Sequence, residues 1–231
     1  RMMTLAPELE GALALIPQLR AAGVIPAIGH SDATYEQARA AIAAGAAHAT
    51  HLFNGMGPLH HRTPGLVGAA LEAGIPCELI CDGRHLHPAV ISLVCRLIAC
   101  PVLITDAIEA AGVGDGTFDL GGLAVHVQDG EARLASTQSL AGSTLTMDQA
   151  LRRAVQESGL PIEEAAAAAA TNPARVLGME DRLGAIAPGR RADLVVLDDD
   201  LAVRRVMAAG RWLREDPDQE VTVIPGTRLR Q

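Results

Sequence analysis

The chain has 231 residues, 49% hydrophobic and 20% charged, with a formal net charge of −8. That length suits one large domain, or one domain with a small satellite, and the acidic balance leaves no basic stripe to meet nucleic-acid phosphates. No uncharged apolar run reaches the roughly 18 to 20 residues a membrane span needs, and RMMTLAPELE has no secretory h-region or cleavage pattern.

In chain order, MTLAP reads as the tail of a strand with Glu8 at its end, and LEGALALIPQLRAAG as a helix closing on Gly23. VIPAIGH is the next strand, TYEQARAAIAAG a helix and AHATHLF a strand. A loop rich in Gly, Pro and His leads to the short helix GLVGAALEAG. CELICDG is a strand, PAVISLVCRLIA a helix with Pro88 in its first turn, and VLITDA a strand. Apolar strands alternating with helices predict a parallel sheet covered on both faces. These five strands are fewer than the eight of a closed (β/α)₈ barrel. Either the sheet is open or the chain begins part-way through a barrel, and a start inside MMTLAP favours the second.

Over residues 117–136 the pattern becomes short alternating runs, predicting a β-hairpin that turns at Asp129-Gly130. TLTMDQALRRAVQESG is an amphipathic helix, and a second helix runs from Pro161 through an alanine tract. TNPARVLG restarts it, with Asn172 as N-cap, Pro173 at the first helical position and Gly178 as the stop. DLVVLDDD and VRRVMAAGRWL are two strands of a β satellite. The cysteines Cys77, Cys81, Cys95 and Cys100 match no metal-knuckle spacing and read as small buried hydrophobes in a reducing cytoplasm.

Chemistry concentrates at strand ends. His30 and His51 end consecutive strands, where side chains of a parallel α/β barrel meet over its C-terminal mouth. One such histidine is ordinarily structural; two, followed by a carboxylate at a later strand end, point to a shared metal ion. His51, nearer the loop, is the better candidate than His48. Asp106 ends the fifth strand, as a helix cap or as a general acid/base beside an activated water. Arg62, beside His61 and Pro64-Gly65, is a solvated charge or an anchor for phosphate or carboxylate. His85 is better placed than His87 or His126, which read as surface or structural.

TLAPE, GHSDATY, THLFNGM, HHRTPG, DGRH, TDA, LAGSTLTMD, NPAR and LGAIAPGRRADLVVLD follow one another in this order. In these motifs the chain resembles the N-acetylglucosamine-6-phosphate deacetylases of the amidohydrolase superfamily over nearly its whole length. The resemblance implies five C-terminal β/α units of a metal-bearing (β/α)₈ barrel in residues 1–185, and in 186–231 strands of a small β-sandwich domain. It implies hydrolysis of the acetamido group of an amino-sugar phosphate, with a divalent metal, Zn or Fe, and a cytoplasmic homodimer. Carried onto matching positions, His30 and His51 are metal ligands and Asp106 the catalytic acid/base. Asn54, Gly55, Arg62, Asp82, Gly83, Arg84, His85, Leu140, Ala141 and Gly142 are substrate contacts, with Arg62 and His85 on phosphate and sugar. Gly55 stands where the family usually has alanine. The family's His-x-Glu-Gly-Pro segment, which carries a metal-binding glutamate upstream of TLAPE, is absent, so the chain reads as N-terminally truncated relative to the family. Glu8 is assigned capping or supporting duty, with metal contact the lesser alternative. A related deacetylase acting on N-acetylgalactosamine 6-phosphate, or an inactive fragment, are the competing readings.

Overall fold

The computed structural model describes residues 1–213. Two compact units divide the chain, Arg1–Arg190 and Arg191–Gln231. In the first, five parallel strands form one sheet in sequential order: β1 (Met2–Leu5), β2 (Ile25–Ile28), β3 (His48–Ala49), β4 (Cys77–Ile80) and β5 (Pro101–Ile104). Helices α1 (Ala12–Ala21), α2 (Tyr35–Ala44), α3 (Gly65–Ala73) and α4 (Pro88–Leu97) alternate with them. Every crossover therefore returns the chain to start the next strand beside the last, so all strands end on one edge.

The strands are apolar because helices leave them little water. Ala27, Ile28, Cys77, Leu79 and Ile80 are fully buried. Each large aliphatic side chain removed from water contributes about 1.5–3 kcal/mol. Ile16 of α1 with Ala38 and Ala41 of α2 packs on Ile28, while Ile91 and Val94 of α4 pack with Leu79, Ile80 and Leu103. Small residues on α2 let α3 approach, with Ala69 and Leu66 in the same cluster.

The strand AHATHLF is shorter than its apolar run predicts. Ladder pairing stops after Ala49, because the chain turns through left-handed residues at His51 (φ 27°) and Phe53 (φ 75°). The hairpin expected over 117–136 is present and gains a strand: β6 (Gly116–Leu120), β7 (Leu123–Gln128) and β8 (Glu131–Leu134) form an antiparallel sheet. Gln128 pairs with Glu131 across the turn at Asp129 and Gly130, both at positive φ. Val125, Val127 and Ala132 bury its inner face with Ala110 and Ala141.

After α5 (Met147–Gln156), α6 (Ile162–Ala166) leads through a π-helical turn, Ala167–Thr171, into α7 (Asn172–Val176). Asn172 is not an N-cap. It has helical dihedrals (φ −65°, ψ −47°), and its buried side-chain amide donates instead to the Pro101 carbonyl at 2.7 Å. The widened turn accommodates Pro173, whose missing N–H would otherwise break the α-helical ladder. Gly178 (φ 61°) ends the helix as expected.

In the second unit, the stretch VRRVMAAGRWL is a hairpin rather than one strand. β9 (Leu194–Leu197), β10 (Val203–Ala208) and β11 (Arg211–Trp212) lie antiparallel in the order β11-β10-β9. Ala209 (φ 49°) and Gly210 (φ 80°) make the turn that divides it, and the Arg205 guanidinium lies 3.9 Å over the Trp212 ring. Among the described residues, no helix is long and apolar enough to cross a membrane.

Candidate active site

The C-terminal edge of the parallel sheet carries the chemistry. His30 follows β2, His51 follows β3 and Asp106 follows β5, and all three adopt left-handed backbone conformations (φ 48°, 27° and 51°). Such conformations cost of order 1–3 kcal/mol each for a side-chain-bearing residue and collect at functional sites, where the surrounding structure enforces them. Here the enforcing contacts are visible.

The two histidine turns are hydrogen-bonded to each other. Ser31 N–H donates to the Gly55 carbonyl at 2.8 Å, and Ser31 bridges Met56 in parallel fashion. Gly29 makes the approach possible: a Cβ there would lie 2.9 Å from Thr50 Cβ. The His30 and His51 rings meet edge to face, centroids 4.8 Å apart at an interplanar angle of 84°. His30 is exposed, whereas His51 is 6% exposed, and its Nδ1, like the Nδ1 of buried His48, has no hydrogen-bond partner among the described residues. An orphaned imidazole nitrogen in a buried position is costly unless something outside the chain meets it.

Behind His30, Glu8 spends both carboxylate oxygens on the following residues. Oε2 accepts the Ser31 hydroxyl at 2.6 Å and Oε1 accepts the Asp32 N–H at 2.9 Å. Burial raises the Glu8 pKa, but the Ser31 and backbone hydrogen bonds outweigh it and leave the pKa below the ordinary value. Glu8 is thus a clamp on the turn. The same loop ends in a capping box at α2: Thr34 Oγ1 accepts the Gln37 N–H, and Gln37 Oε1 accepts the Thr34 N–H.

Around His51, Glu78 of β4 joins the buried His48 ring (Oε1 to Nε2, 2.9 Å) and accepts the His51 backbone N–H (Oε2, 3.1 Å). Asn54 folds its side-chain amide onto the carbonyls of His51 and Leu52 at 3.3 and 3.2 Å. Glu78 and Ser31 were not among the sequence candidates. The signal for Glu78 was a lone charge in the otherwise apolar strand CELI, where charges are rare unless paired.

After β4, Asp82 organises its loop. Oδ1 accepts the N–H groups of Arg84 and His85, both at 2.8 Å, and Oδ2 lies 2.6 Å from His85 Nδ1. Burial pushes the Asp82 pKa up, yet His85 and the two backbone N–H groups more than reverse this and hold it low. The ionised carboxylate therefore takes Nδ1–H, leaving His85 Nε2 as the ring's second nitrogen for a ligand. Gly83 (φ 73°) runs close to the Arg153 guanidinium. The Arg84 guanidinium reaches the hairpin, donating to the Asp129 carbonyl at 2.6 Å.

After β5, the Asp106 carbonyl accepts the Ser143 N–H at 2.8 Å, and its side chain is exposed. Leu140 bridges Arg133 and Ala141 N–H donates to the Ala132 carbonyl, so the segment 140–142 leaves the hairpin and meets Asp106. Gly142 (φ 62°) is required there, since a Cβ would lie 2.8 Å from the Asp106 carbonyl oxygen. Arg62 is exposed in the loop after β3, its N–H on His60 Nδ1 at 3.3 Å.

The candidates thus gather as three groups along one edge: His30, His51 and Asn54-Gly55; Asp82 to His85; and Asp106 with Leu140 to Gly142. β3 and β5 lie two strands apart in the sheet, about 10 Å at the usual spacing. Among the described residues, no three His, Cys, Asp or Glu side chains converge as a metal-binding group. The histidine pair supplies two imidazole nitrogen donors of the kind Zn²⁺ and Fe²⁺ accept, one fewer than the three protein ligands of a typical catalytic zinc site.

The amidohydrolase family model matches residues 20–213. The chain belongs to the amidohydrolase family. Among curated amidohydrolase relatives, it is 46% identical to the N-acetylgalactosamine-6-phosphate deacetylase of Escherichia coli O157:H7 over 91% of this chain and 56% of that protein. It is 42% identical to the N-acetylglucosamine-6-phosphate deacetylase of Lysinibacillus sphaericus, over 91% of this chain and 55% of that protein. Its fold superposes with a TM-score of 0.88 on a single-residue variant of the Mycobacterium smegmatis N-acetyl-D-glucosamine-6-phosphate deacetylase, solved with N-acetyl-D-glucosamine-6-phosphate. That match has 49% identity and covers 92% of this chain and 57% of the other. The chain spans about half the length of the relatives it matches, and its five β/α units correspond to part of a TIM-type amidohydrolase barrel.

Proposed function

We propose that this amidohydrolase removes the acetyl group from N-acetylglucosamine 6-phosphate, yielding glucosamine 6-phosphate and acetate. The observation that carries the reading is the pair of strand-end imidazoles set 4.8 Å apart, one bearing an orphaned buried nitrogen. The names of its relatives support it. His30 and His51 would hold a divalent cation, Zn²⁺ or Fe²⁺. When bound, the cation polarises the amide carbonyl and eases deprotonation of water.

The chain's own groups do the rest. Asp106, exposed at the sheet edge, takes a proton from the attacking water and returns it to the amide nitrogen as the C–N bond breaks. The Arg62 guanidinium pairs with the phosphate. His85, its Nδ1–H fixed by Asp82, offers Nε2 to the sugar phosphate. Asn54, Gly55 and the Leu140 to Gly142 segment line the sugar from the two flanking turns. The reading places the protein in the cytoplasm, where its four free cysteines stay reduced, and as a homodimer, which light scattering checks.

The test is acetate release by the protein expressed from its whole reading frame and supplied with Zn²⁺ or Fe²⁺. Asp106→Asn is expected to lower kcat by about 10²–10⁴-fold. No acetate from the unaltered protein, or an undiminished rate in the variant, rejects the proposal. The galactosamine epimer is the second reading, favoured by the 46% identity to a deacetylase named for it. Comparing kcat/KM on the two epimers decides between them, and Arg62→Ala should slow only phosphorylated substrates.

A further inference from the structure

We propose that Glu78 is a positioning residue for His51, fixing that imidazole through its backbone. This rests on reading His51 as a metal ligand.

β3 contributes only His48 and Ala49 to the sheet, so ladder bonds do not extend to His51. The chain there is already left-handed, at φ 27°, and becomes so again at Phe53. A turn of this kind keeps its shape only if something outside it holds the backbone. Glu78 supplies three points of attachment from the adjacent strand. Its carbonyl accepts the Leu52 N–H at 2.8 Å, its Oε2 accepts the His51 N–H at 3.1 Å, and its Oε1 meets His48 Nε2 at 2.9 Å. One residue therefore grips positions 48, 51 and 52, bracketing the candidate ligand from both sides.

The environment makes the grip firm. The His48 side chain is 1% exposed and that of Glu78 15%, so water competes weakly for these bonds. His48 in turn locates the carboxylate: its ring pins one oxygen and leaves the other on the His51 N–H. Packing alone does not call for this arrangement. An apolar residue of similar volume beside Leu79 and Ile80 would avoid desolvating a carboxylate. What the apolar residue lacks is an acceptor for His51.

Supports behind a metal ligand typically change metal affinity by about 10- to 100-fold when removed. Zn²⁺ affinity, measured by competition with a chromophoric chelator on protein expressed from its whole reading frame, reads this directly. Glu78→Leu removes the acceptor and should weaken Zn²⁺ binding by about 10- to 100-fold. Glu78→Gln retains an oxygen for the His51 N–H and an NH₂ for His48, and should restore affinity close to that of the unaltered protein.

Because Glu78→Leu also strands the buried His48 ring, the pair His48→Phe/Glu78→Leu separates packing from positioning. Replacing both partners with apolar groups should recover the thermal midpoint while Zn²⁺ binding stays weak. Zn²⁺ binding equal to the unaltered protein in either leucine variant would overturn the proposal, leaving the pair a packing feature. An unaltered protein that binds no Zn²⁺ would remove the metal reading of His51 itself, and the proposal with it.

Discussion

The His30 and His51 turns solve one problem by different means. Each follows a parallel strand, each is left-handed, and each is held by a glutamate of a neighbouring segment, Glu8 in the turn after β1 and Glu78 in β4. At His51 the clamp grasps the ligand candidate's own N–H inside the protein, and the ring is buried. At His30 it grasps the next two residues, Ser31 and Asp32, and the ring is exposed. The contrast assigns different work to the two imidazoles. His51 is part of the packed interior and fixed by it, whereas His30 stands on a braced loop and approaches from outside.

The largest effect that tests this contrast is on stability. His51→Ala should destabilise the protein by about 2–4 kcal/mol in urea unfolding, in the range for emptying a buried site. His30→Ala should change it by less than about 0.5 kcal/mol, as for exposed positions, while both abolish tight Zn²⁺ binding. Equal stability losses would erase the distinction between a packed and a braced histidine.

Much of this edge is readable in the sequence, because apolar runs ending in His-Ser, His-Leu or Thr-Asp mark strands that stop at a polar rim. The ordering of strands and helices follows from the same alternation of period. What escapes is whatever depends on a neighbour across the sheet. Glu78 touches His48 and His51 only because β3 and β4 are adjacent, and nothing local in CELI gives that partner. Asn172 has the composition of a cap, yet its amide is claimed by Pro101, which lies far away along the chain. The division of VRRVMAAGRWL turns on a non-glycine left-handed residue, Ala209, which propensity disfavours.

The clamp behind His30 gives a smaller effect. Glu8→Ala leaves the Ser31 hydroxyl and the Asp32 N–H without their acceptor. Ser31 is 4% exposed, so the cost should be about 1–3 kcal/mol, less than emptying the His51 site. Its signature in hydrogen exchange should be local, with faster exchange at Asp32 and Ala33 and unchanged exchange in β4. A global increase would mean that the His30 turn is as embedded as its counterpart.

The smallest effect is in the acid response of the same residue. Glu8 has a folded pKa below its ordinary value of 4.5, so ionised Glu8 favours the folded state. That contribution is present above about pH 4.5 and is lost as the pH falls through the lowered folded value. Glu8→Gln keeps an acceptor but removes the ionisation. Its stability should therefore decline less than that of the unaltered protein as the pH is taken from 5 towards 3, while the two run parallel above pH 6. Parallel acid limbs would show that the Ser31 and Asp32 bonds do not depend on the charge of Glu8, and that the turn behind His30 is held by geometry alone.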